Sequence, residues 1–210
     1  MTIADYNYLK VAVATWLMRE DLTDQIPTFI QLGEAELNRV LRTKEMMQRS
    51  TSVITSQYIL LPEGWLKAKN IQRSDGYPLE YLTPPELDKY RWELSHGRAA
   101  PEQGPVYYSL VGDTMELAPA PTADEPTTVE MLYYKKVPSL SSSSPSNWLI
   151  LTYPDIYLYA TLIASAPFLM EDDRIATWQG LFEKAVQQAN AAAEQARMSG
   201  APMSRRIRTF

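Results

Sequence analysis

Two hydrophobic periods divide this sequence into three parts, and the division limits the folds that the chain can adopt. At both ends, apolar residues recur every three or four positions, which is the period of an amphipathic helix. In the middle they alternate, as in a β-strand. The chain has 210 residues, which suits one domain or one core with an inserted lobe.

The order of these periods predicts how the parts pack. Neither helical end has enough surface to enclose the apolar stripe of the other alone, so we expect the helices of both ends to pack together. The predicted fold class is α+β: a four-helix bundle formed by N- and C-terminal helix pairs, with a β-rich insertion in the middle and an extended C-terminal tail.

The N-terminal part, residues 1–48, is predicted to form one helical pair of this bundle. Gly33 lies within the apolar stripe of the second helix, where it costs helix propensity. A close approach of another helix would explain it, and so would a tolerated defect. We assign Glu34, Asn38 and Arg42 to the face opposite the stripe. The predicted helices and their candidate caps are residues 5–18 with Asp5, and residues 24–45 with Thr23 or Asp24.

The middle part, residues 49–138, is predicted to be a β-rich insertion. Residues 50–61 alternate and are followed by a Pro-Glu-Gly turn, which indicates one strand. Thr83 and Glu86 form a capping-box signature that should start a short helix near residues 84–93. Further strands are predicted at residues 65–71, 79–82, 106–111, 114–118 and 127–137, with Gly112-Asp113 joining two of them in a hairpin.

The C-terminal part is predicted to contain a linker, a second helical pair and a tail. The linker is serine-rich and should be flexible or extended. Pro167 should kink or end the first helix of the pair. The predicted segments are the linker at residues 139–148, the helical pair at 149–199 with helices near 154–170 and 172–198, and the tail at 200–210.

The composition offers little catalytic chemistry. There are no cysteines and one histidine, His96, which lies in a polar loop with no visible nucleophile or orienting carboxylate. Glu171, Asp172 and Asp173 could hold a hard cation, but such sites collect ligands at several spaced positions. We interpret these acids as charges that match a helix dipole. We therefore predict a structural or interaction protein with no catalytic residues, cofactor or metal, and not an enzyme.

Charge and hydropathy limit the partners further. The formal net charge is −5, so the whole surface is not used to neutralise phosphates, although a local basic patch remains possible. No signal peptide is visible at the N-terminus. The most apolar stretch, residues 156–169, is shorter than the roughly 20 residues that a membrane-spanning helix needs. We expect a soluble chain that does not enter a membrane.

Aromatic residues are abundant, with 13 tyrosines and five tryptophans. Three interpretations are open: ordinary core and sheet packing, anchors of a protein interface, or a stacking platform for single-stranded nucleic acid. A stacking platform needs interleaved basic residues, and only Lys135-Lys136 comes close. The clusters are Tyr107-Tyr108, Tyr133-Tyr134 and the tyrosines of residues 153–159.

The C-terminal tail combines cations with apolar residues and ends in an aromatic ring. It could be a disordered tail or a docking arm that orders on a partner. In the second interpretation, Ile207 and Phe210 fill pockets on the partner, and the arginines fix the register. The candidate docking residues are Arg205, Arg206, Ile207, Arg208 and Phe210.

Several segments, in this order, resemble the head–tail adaptor (connector) family of tailed bacteriophages. None of them is a catalytic signature, and each is short, but together they span most of the chain. They are LTDQIPTFI at 22–30, EAELNR at 34–39, LEYLTP at 79–84, LAPAP at 117–121, NWL at 147–149 and YPDIYLY at 153–159.

This resemblance implies a virion protein at the head–tail junction, made in the host cytoplasm. It implies a helical bundle with a β-rich insertion, and a homo-oligomeric ring, commonly a dodecamer, beneath the portal. The implied partners are the portal protein, tail, nozzle or tail-completion proteins, and other copies of the chain. Genomic DNA would pass through the lumen without specific binding, and no cofactor is implied. The alternative is a single-stranded nucleic-acid-binding module that uses the tyrosine-rich β segment.

Overall fold

The helices and strands of the chain fall into two units. The structure, a computed structural model, describes residues 3–101, 104–169 and 173–198. The helical unit comprises Met1–Met46 and Val137–Phe210, and the β unit comprises Met47–Lys136. The described parts of both chain ends therefore belong to one unit, and the middle of the chain forms the other.

The secondary structure is mixed α+β, which is the class that the sequence predicts. The helices are α1 Tyr6–Leu17, α2 Ile26–Val40, α3 Pro84–Ser95, α4 Trp148–Thr152, α5 Pro154–Ala164 and α6 Arg174–Met198. The strands are β1 Met47–Ile54, β2 Tyr58–Leu60, β3 Trp65–Arg73, β4 Glu80–Tyr81, β5 Tyr107–Val111, β6 Thr114–Ala118 and β7 Thr127–Lys135. Short 3-10 turns cover Glu20–Gln25, Lys44–Met46 and Ala166–Phe168.

Helix α5 is the central element of the helical unit. It packs against α1, α2 and α6. Its sequence is apolar on nearly all sides, and such a helix is stable only when several faces are covered. The helix ends at Ala164, three residues before Pro167, whose ring cannot continue an α-helical hydrogen-bond pattern. Of the two effects predicted for Pro167, a kink or a helix end, the helix end is confirmed, and it lies at Ala164 rather than near residue 170.

The starts of the first two helices differ in how they are capped. The carboxylate of Asp5 accepts hydrogen bonds from two backbone N–H groups in the first turn of α1, as predicted. The predicted caps of α2, Thr23 and Asp24, are wrong, because a 3-10 turn leads directly into the helix. Gln25 occupies the N-cap position and makes no capping hydrogen bond with its side chain. This helix ends at Val40 rather than near residue 45.

Two sheets form the β unit. One has the strand order β1-β7-β3 and is antiparallel, and the other has the order β2-β6-β5-β4. Strands β5 and β6 form the predicted hairpin, and Gly112 in its turn has a φ of 57°. Residues of both sheets share one apolar core, which contains Ile54, Ile71, Leu79, Met115, Leu117, Val129, Met131 and Tyr133.

The single strand predicted over residues 50–61 is wrong. This segment forms two strands, and they belong to different sheets. Ile54 is buried at the end of β1 whereas Val53 is 65% exposed, and Ile59 then packs against the same core from β2. The side chains that face the core thus lie at even positions in β1 and at odd positions in β2. A bend at residues 56–57 makes this change possible.

Helix α3 begins at the capping box that the sequence predicts. The Glu86 carboxylate accepts hydrogen bonds from the backbone N–H and the hydroxyl of Thr83, at 2.9 and 2.6 Å. The Thr83 hydroxyl contributes most to holding the pKa of Glu86 below its usual value, followed by the Thr83 N–H. Leu87 and Tyr90 anchor the helix on Ala118 of β6.

Candidate functional site

A buried carboxylate lies at the centre of the helical unit. Glu34 on α2 is 5% exposed. Its Oε1 atom accepts hydrogen bonds from the backbone N–H of Leu140, at 2.7 Å, and from the Tyr157 hydroxyl on α5, at 2.9 Å. A buried carboxylate is tolerated only when hydrogen bonds replace its lost water. The assignment of Glu34 to the face opposite the apolar stripe is therefore wrong.

Asn147 extends this hydrogen-bond network. Its side-chain oxygen accepts from the N–H of Ile150, at 2.9 Å, and so caps α4. Its side-chain nitrogen donates to the Tyr157 hydroxyl, at 2.8 Å, and to the carbonyl of Pro138, at 2.5 Å. The Asn147 amide thus links the start of α4 to α5, and also to the chain segment that precedes α4.

The environment of Tyr157 keeps its phenol protonated. Burial, together with the neighbouring negative charge of Glu34, raises the pKa of Tyr157 far above its ordinary value. The hydroxyl can therefore donate to Glu34 while it accepts from Asn147. The network thus joins α2, α5 and the start of α4 through hydrogen bonds between buried groups.

The segment predicted to be a flexible or extended linker is attached to this network. Besides Leu140, the N–H of Val137 donates to the side-chain oxygen of Asn38, at 2.8 Å. Val137 and Leu140 are both buried. Ser141 and Ser144 make a turn through their backbone and side chains. The serines therefore mark a turn, and the residues before them are packed.

Gly33 marks a close approach between α2 and α5. A Cβ atom at this position would lie 3.1 Å from the carbonyl carbon of Ala160 and 3.2 Å from the backbone nitrogen of Thr161. Both contacts are tighter than ordinary packing allows, and both are with backbone atoms, which cannot rotate away. Of the two explanations that the sequence leaves open for Gly33, the close helix approach is confirmed.

Asn190 attaches α6 to the C-terminal end of α2. Its side-chain oxygen accepts from the N–H of Arg42, at 2.8 Å, and its nitrogen donates to the carbonyl of Val40, at 3.2 Å. The last carbonyls of a helix lack partners within the helix, so this amide satisfies groups that would otherwise need water. Sequence reasoning missed Asn190, because a polar residue in an alanine-rich helix resembles a solvent-facing one.

A groove lies between α2, α5 and α6 in the helical unit. Its volume is about 480 Å³, within the range of ligand pockets. Small residues leave this space open, because Gly33, Ala35, Ala160 and Ala164 line it. Larger apolar side chains and four polar or charged ones complete the lining: Leu32, Val40, Ile163, Phe182, Glu36, Arg39, Gln179 and Glu183. This surface can receive an apolar segment that carries positive charge, and no pattern in the sequence indicated the groove.

The tyrosine clusters of the β unit pack largely against other rings. Tyr133 is buried and stacks on Trp65, with ring centroids 4.7 Å apart. Tyr107 meets Tyr90 edge to face at 4.8 Å. Faces already covered by neighbouring rings are poorly suited to stack bases, which favours ordinary packing over a nucleic-acid platform.

The remaining candidates for chemistry are not brought together. His96 is exposed, and its ring stacks on Trp92 with centroids 4.1 Å apart. Asp173 is exposed, whereas Glu171 and Asp172 lie outside the described residues. In the parts of the chain that the structure describes, no three His, Cys, Asp or Glu side chains are grouped so that they could hold a metal. No helix among the described residues is both long and apolar enough to cross a membrane.

The predicted docking residues of the tail, Arg205, Arg206, Ile207, Arg208 and Phe210, lie outside the described residues. Other segments that resemble phage adaptors do meet in the structure. Residues 34–39, 147–149 and 153–159 supply Glu34, Asn147 and Tyr157 to one hydrogen-bond network. The segments that resemble phage adaptors therefore include residues whose hydrogen bonds hold the helical unit together.

Comparison with known proteins agrees with this picture. None of the curated proteins matches the chain. The sequence matches the model of the SU10 adaptor protein family over residues 4–206, which takes in both the helical unit and the β unit. That match indicates a phage structural adaptor, a virion component rather than an enzyme. Since it covers nearly the whole sequence, the chain belongs to the SU10 adaptor protein family.

Proposed function

We propose that this chain is a head–tail adaptor of a tailed bacteriophage. It forms a homo-oligomeric ring beneath the portal, joins the portal to tail, nozzle or tail-completion proteins, and leaves a channel through which genomic DNA passes. The observation that carries the proposal is the family match over residues 4–206, because it covers both units of the chain.

The architecture proposed for this role is a four-helix bundle of α1, α2, α5 and α6 with the β unit as an insertion. Two observations support it: helices from both ends of the chain share one unit, and α5 contacts the other three. The proposed segments are the helical pairs at residues 1–48 and 149–199, the insertion at 49–138, the connecting segment at 139–148 and the tail at 200–210.

The tail is the proposed contact with the portal. Arginines at 205, 206 and 208 remain charged at any relevant pH and can bind carboxylates with two hydrogen bonds each. Ile207 and Phe210 add apolar anchors, and truncation of an anchor of this kind often costs about 2 kcal/mol or more of binding free energy. A tail that served only to bind DNA would not need these apolar residues.

Deletion of residues 203–210 tests this contact. The shortened and full-length chains are compared for capture by immobilised portal protein, with circular dichroism as the check on folding. We expect the shortened chain to fold and to lose at least about tenfold in affinity, which corresponds to about 1.4 kcal/mol. Unchanged affinity would show that the portal binds elsewhere on the chain.

The proposed channel should pass DNA without gripping it. The formal net charge of −5 supports this, because a lumen that bound phosphates strongly would hold back the genome. Binding of a labelled single-stranded oligonucleotide is measured at about 50 and 200 mM salt. Little binding at either concentration fits an adaptor, whereas tight binding that falls steeply with salt would favour the nucleic-acid-binding alternative.

Ring formation is proposed to depend on the portal as a template. Segments that become ordered on a partner lose conformational entropy, and contacts with that partner offset the loss. Sedimentation of the free chain should therefore show a monomer, and electron microscopy of the chain mixed with portal protein should show a ring, commonly of 12 copies. A stable ring without portal would contradict the proposed dependence on a template, but it would not contradict the proposed adaptor function.

A further inference from the structure

The groove between α2, α5 and α6 has the chemistry of a site for a basic, apolar segment. Its apolar lining consists of small and aliphatic side chains and Phe182, and Leu32 in this lining is 52% exposed. An exposed apolar surface next to a concave floor is a common feature of docking sites. Filling this space with side chains would remove apolar area from water without moving a helix.

The charges at the rim of the groove favour a cation. Glu36 is paired with Arg39, whose guanidinium lies 2.7 Å from its carboxylate. Glu183 on α6 accepts a hydrogen bond from Gln179 and, among the described side chains, has no cationic partner. The rim therefore carries one carboxylate that an incoming arginine could pair with.

The chain itself contains a segment with the matching composition. Residues 199–210 follow directly after α6 and carry three arginines, no acid, and the apolar pair Ile207 and Phe210. The other stretches outside the described residues, 1–2, 102–103 and 170–172, are at most three residues long. The segment is thus complementary to the groove in both charge and hydrophobicity.

The distances allow this segment to reach the groove of its own chain. From Met198 back to Glu183, α6 spans roughly 22 Å at about 1.5 Å per residue. The nine residues from Met198 to Ile207 can span up to about 30 Å when extended. A tethered segment of this length acts at an effective concentration in the millimolar range, so even a weak contact would be populated.

We propose that, in the free protein, residues 205–210 dock into the groove of their own chain. Ile207 and Phe210 lie on the apolar floor, and an arginine pairs with Glu183. The docked segment is withheld from other partners until one of them offers a better site. This inference goes beyond the proposed function. Its test uses the free protein without portal, so docking of the tail in the groove and binding of the tail to the portal can fail independently.

Disulfide trapping tests the proposal directly, because the chain has no cysteine of its own. One variant combines Thr209→Cys with Gln179→Cys, which places a thiol in the groove lining. The matched control combines Thr209→Cys with Gln188→Cys. Both glutamines are exposed on α6, and nine helical residues separate them by about 180° around the axis, with residue 188 nearer the tail.

With oxidised glutathione added as the oxidant, we expect the groove pair to form its intramolecular disulfide at least about tenfold faster than the control pair. Adding Phe210→Ala, or Ala35→Trp to fill the groove, should bring the two rates together, while circular dichroism shows that the fold is kept. A tail with no preferred site would react at least as fast at residue 188, because that position is closer, and this result would overturn the proposal. Disulfide-linked dimers as the main product would assign the groove to the tail of a second copy, and would also overturn docking within one chain.

Discussion

The Tyr157 hydroxyl donates a hydrogen bond to the buried Glu34 carboxylate over 2.9 Å, and this bond joins the central helix α5 to α2. Replacement of Glu34 by alanine leaves that hydroxyl and the N–H of Leu140 without an acceptor in the core. We expect Glu34→Ala to lower the free energy of unfolding by about 3 kcal/mol, since each buried unsatisfied group costs about 1–3 kcal/mol. Urea titration followed by circular dichroism measures the loss.

Glu34→Gln is the matched control for this change. Both hydrogen bonds reach Oε1, so an amide oxygen in the same place can keep them. We expect a loss of less than about 1.5 kcal/mol, because only the charge contribution is removed. If alanine and glutamine at position 34 were equally mild, the network would not be a main support of the helical unit.

The raised pKa of Tyr157 predicts a loss of stability in alkali. The unfolded chain releases this proton near its ordinary pKa of 10.0, whereas the buried phenol keeps it to a higher pH. The folded state therefore binds more protons above pH 10, and stability falls as pH rises, by up to about 1.4 kcal/mol per pH unit for this group. Tyr157→Phe should flatten the fall between pH 10 and 11. If stability fell as steeply with pH in this variant as in the unmodified protein, Tyr157 would not be the cause of the alkaline loss.

Gly33→Ala should destabilise the protein although alanine is the better helix former. The added methyl would lie 3.1 Å from the backbone of Ala160, so α2 and α5 must separate. We expect a loss of about 1–3 kcal/mol, the usual cost of overpacking. Gly180→Ala in α6 is the control, because no atom lies within 4 Å of its added methyl, and it should stabilise by about 0.5–1 kcal/mol. Thermal unfolding of both variants checks the opposite signs.

Asn190→Ala should release α6 from the end of α2. The N–H of Arg42 and the carbonyl of Val40 would both lose their partner, at a cost of about 1–2 kcal/mol. Faster hydrogen exchange at the Arg42 amide would locate the effect. Gln187→Ala, an exposed change on the same helix, should stay within about 0.5 kcal/mol. Equal exchange at Arg42 in both variants would show that the amide of Asn190 is dispensable.

The hydrophobic periods predicted which residues form helices and which form strands, because period follows directly from backbone geometry. They could not predict the hydrogen-bond partners of Glu34, which are more than 100 residues away in sequence, and the burial of Glu34 was missed. One signal was present: Glu34 follows Ile30 by four positions and precedes Leu37 by three, so it belongs to the buried stripe. The sequence also could not separate β1 from β2, because alternation continues through the bend between them.

The groove and the contact of Asn190 escaped prediction for a related reason. Both depend on where α6 crosses α2 and α5, and a hydrophobic pattern gives the face of a helix but not its partner. Gly33 was the better guide, because a glycine inside an apolar helical stripe suggests that another backbone lies close to it. The structure identifies that backbone as residues 160–161 of α5.

The chain enters and leaves the β unit through neighbouring strands, since Met47 at the start of β1 pairs with Tyr134 near the end of β7. Paired residues in antiparallel strands lie only about 5 Å apart, so the β unit is joined to the rest of the chain by two adjacent chain segments, the stems. An insertion connected in this way can be replaced as a whole. Evolution could lengthen, shorten or replace the intervening residues while the stems, and the helical residues on either side of them, keep their places. Two relatives could then share this helical framework and yet present quite different β modules to the particles they help to build.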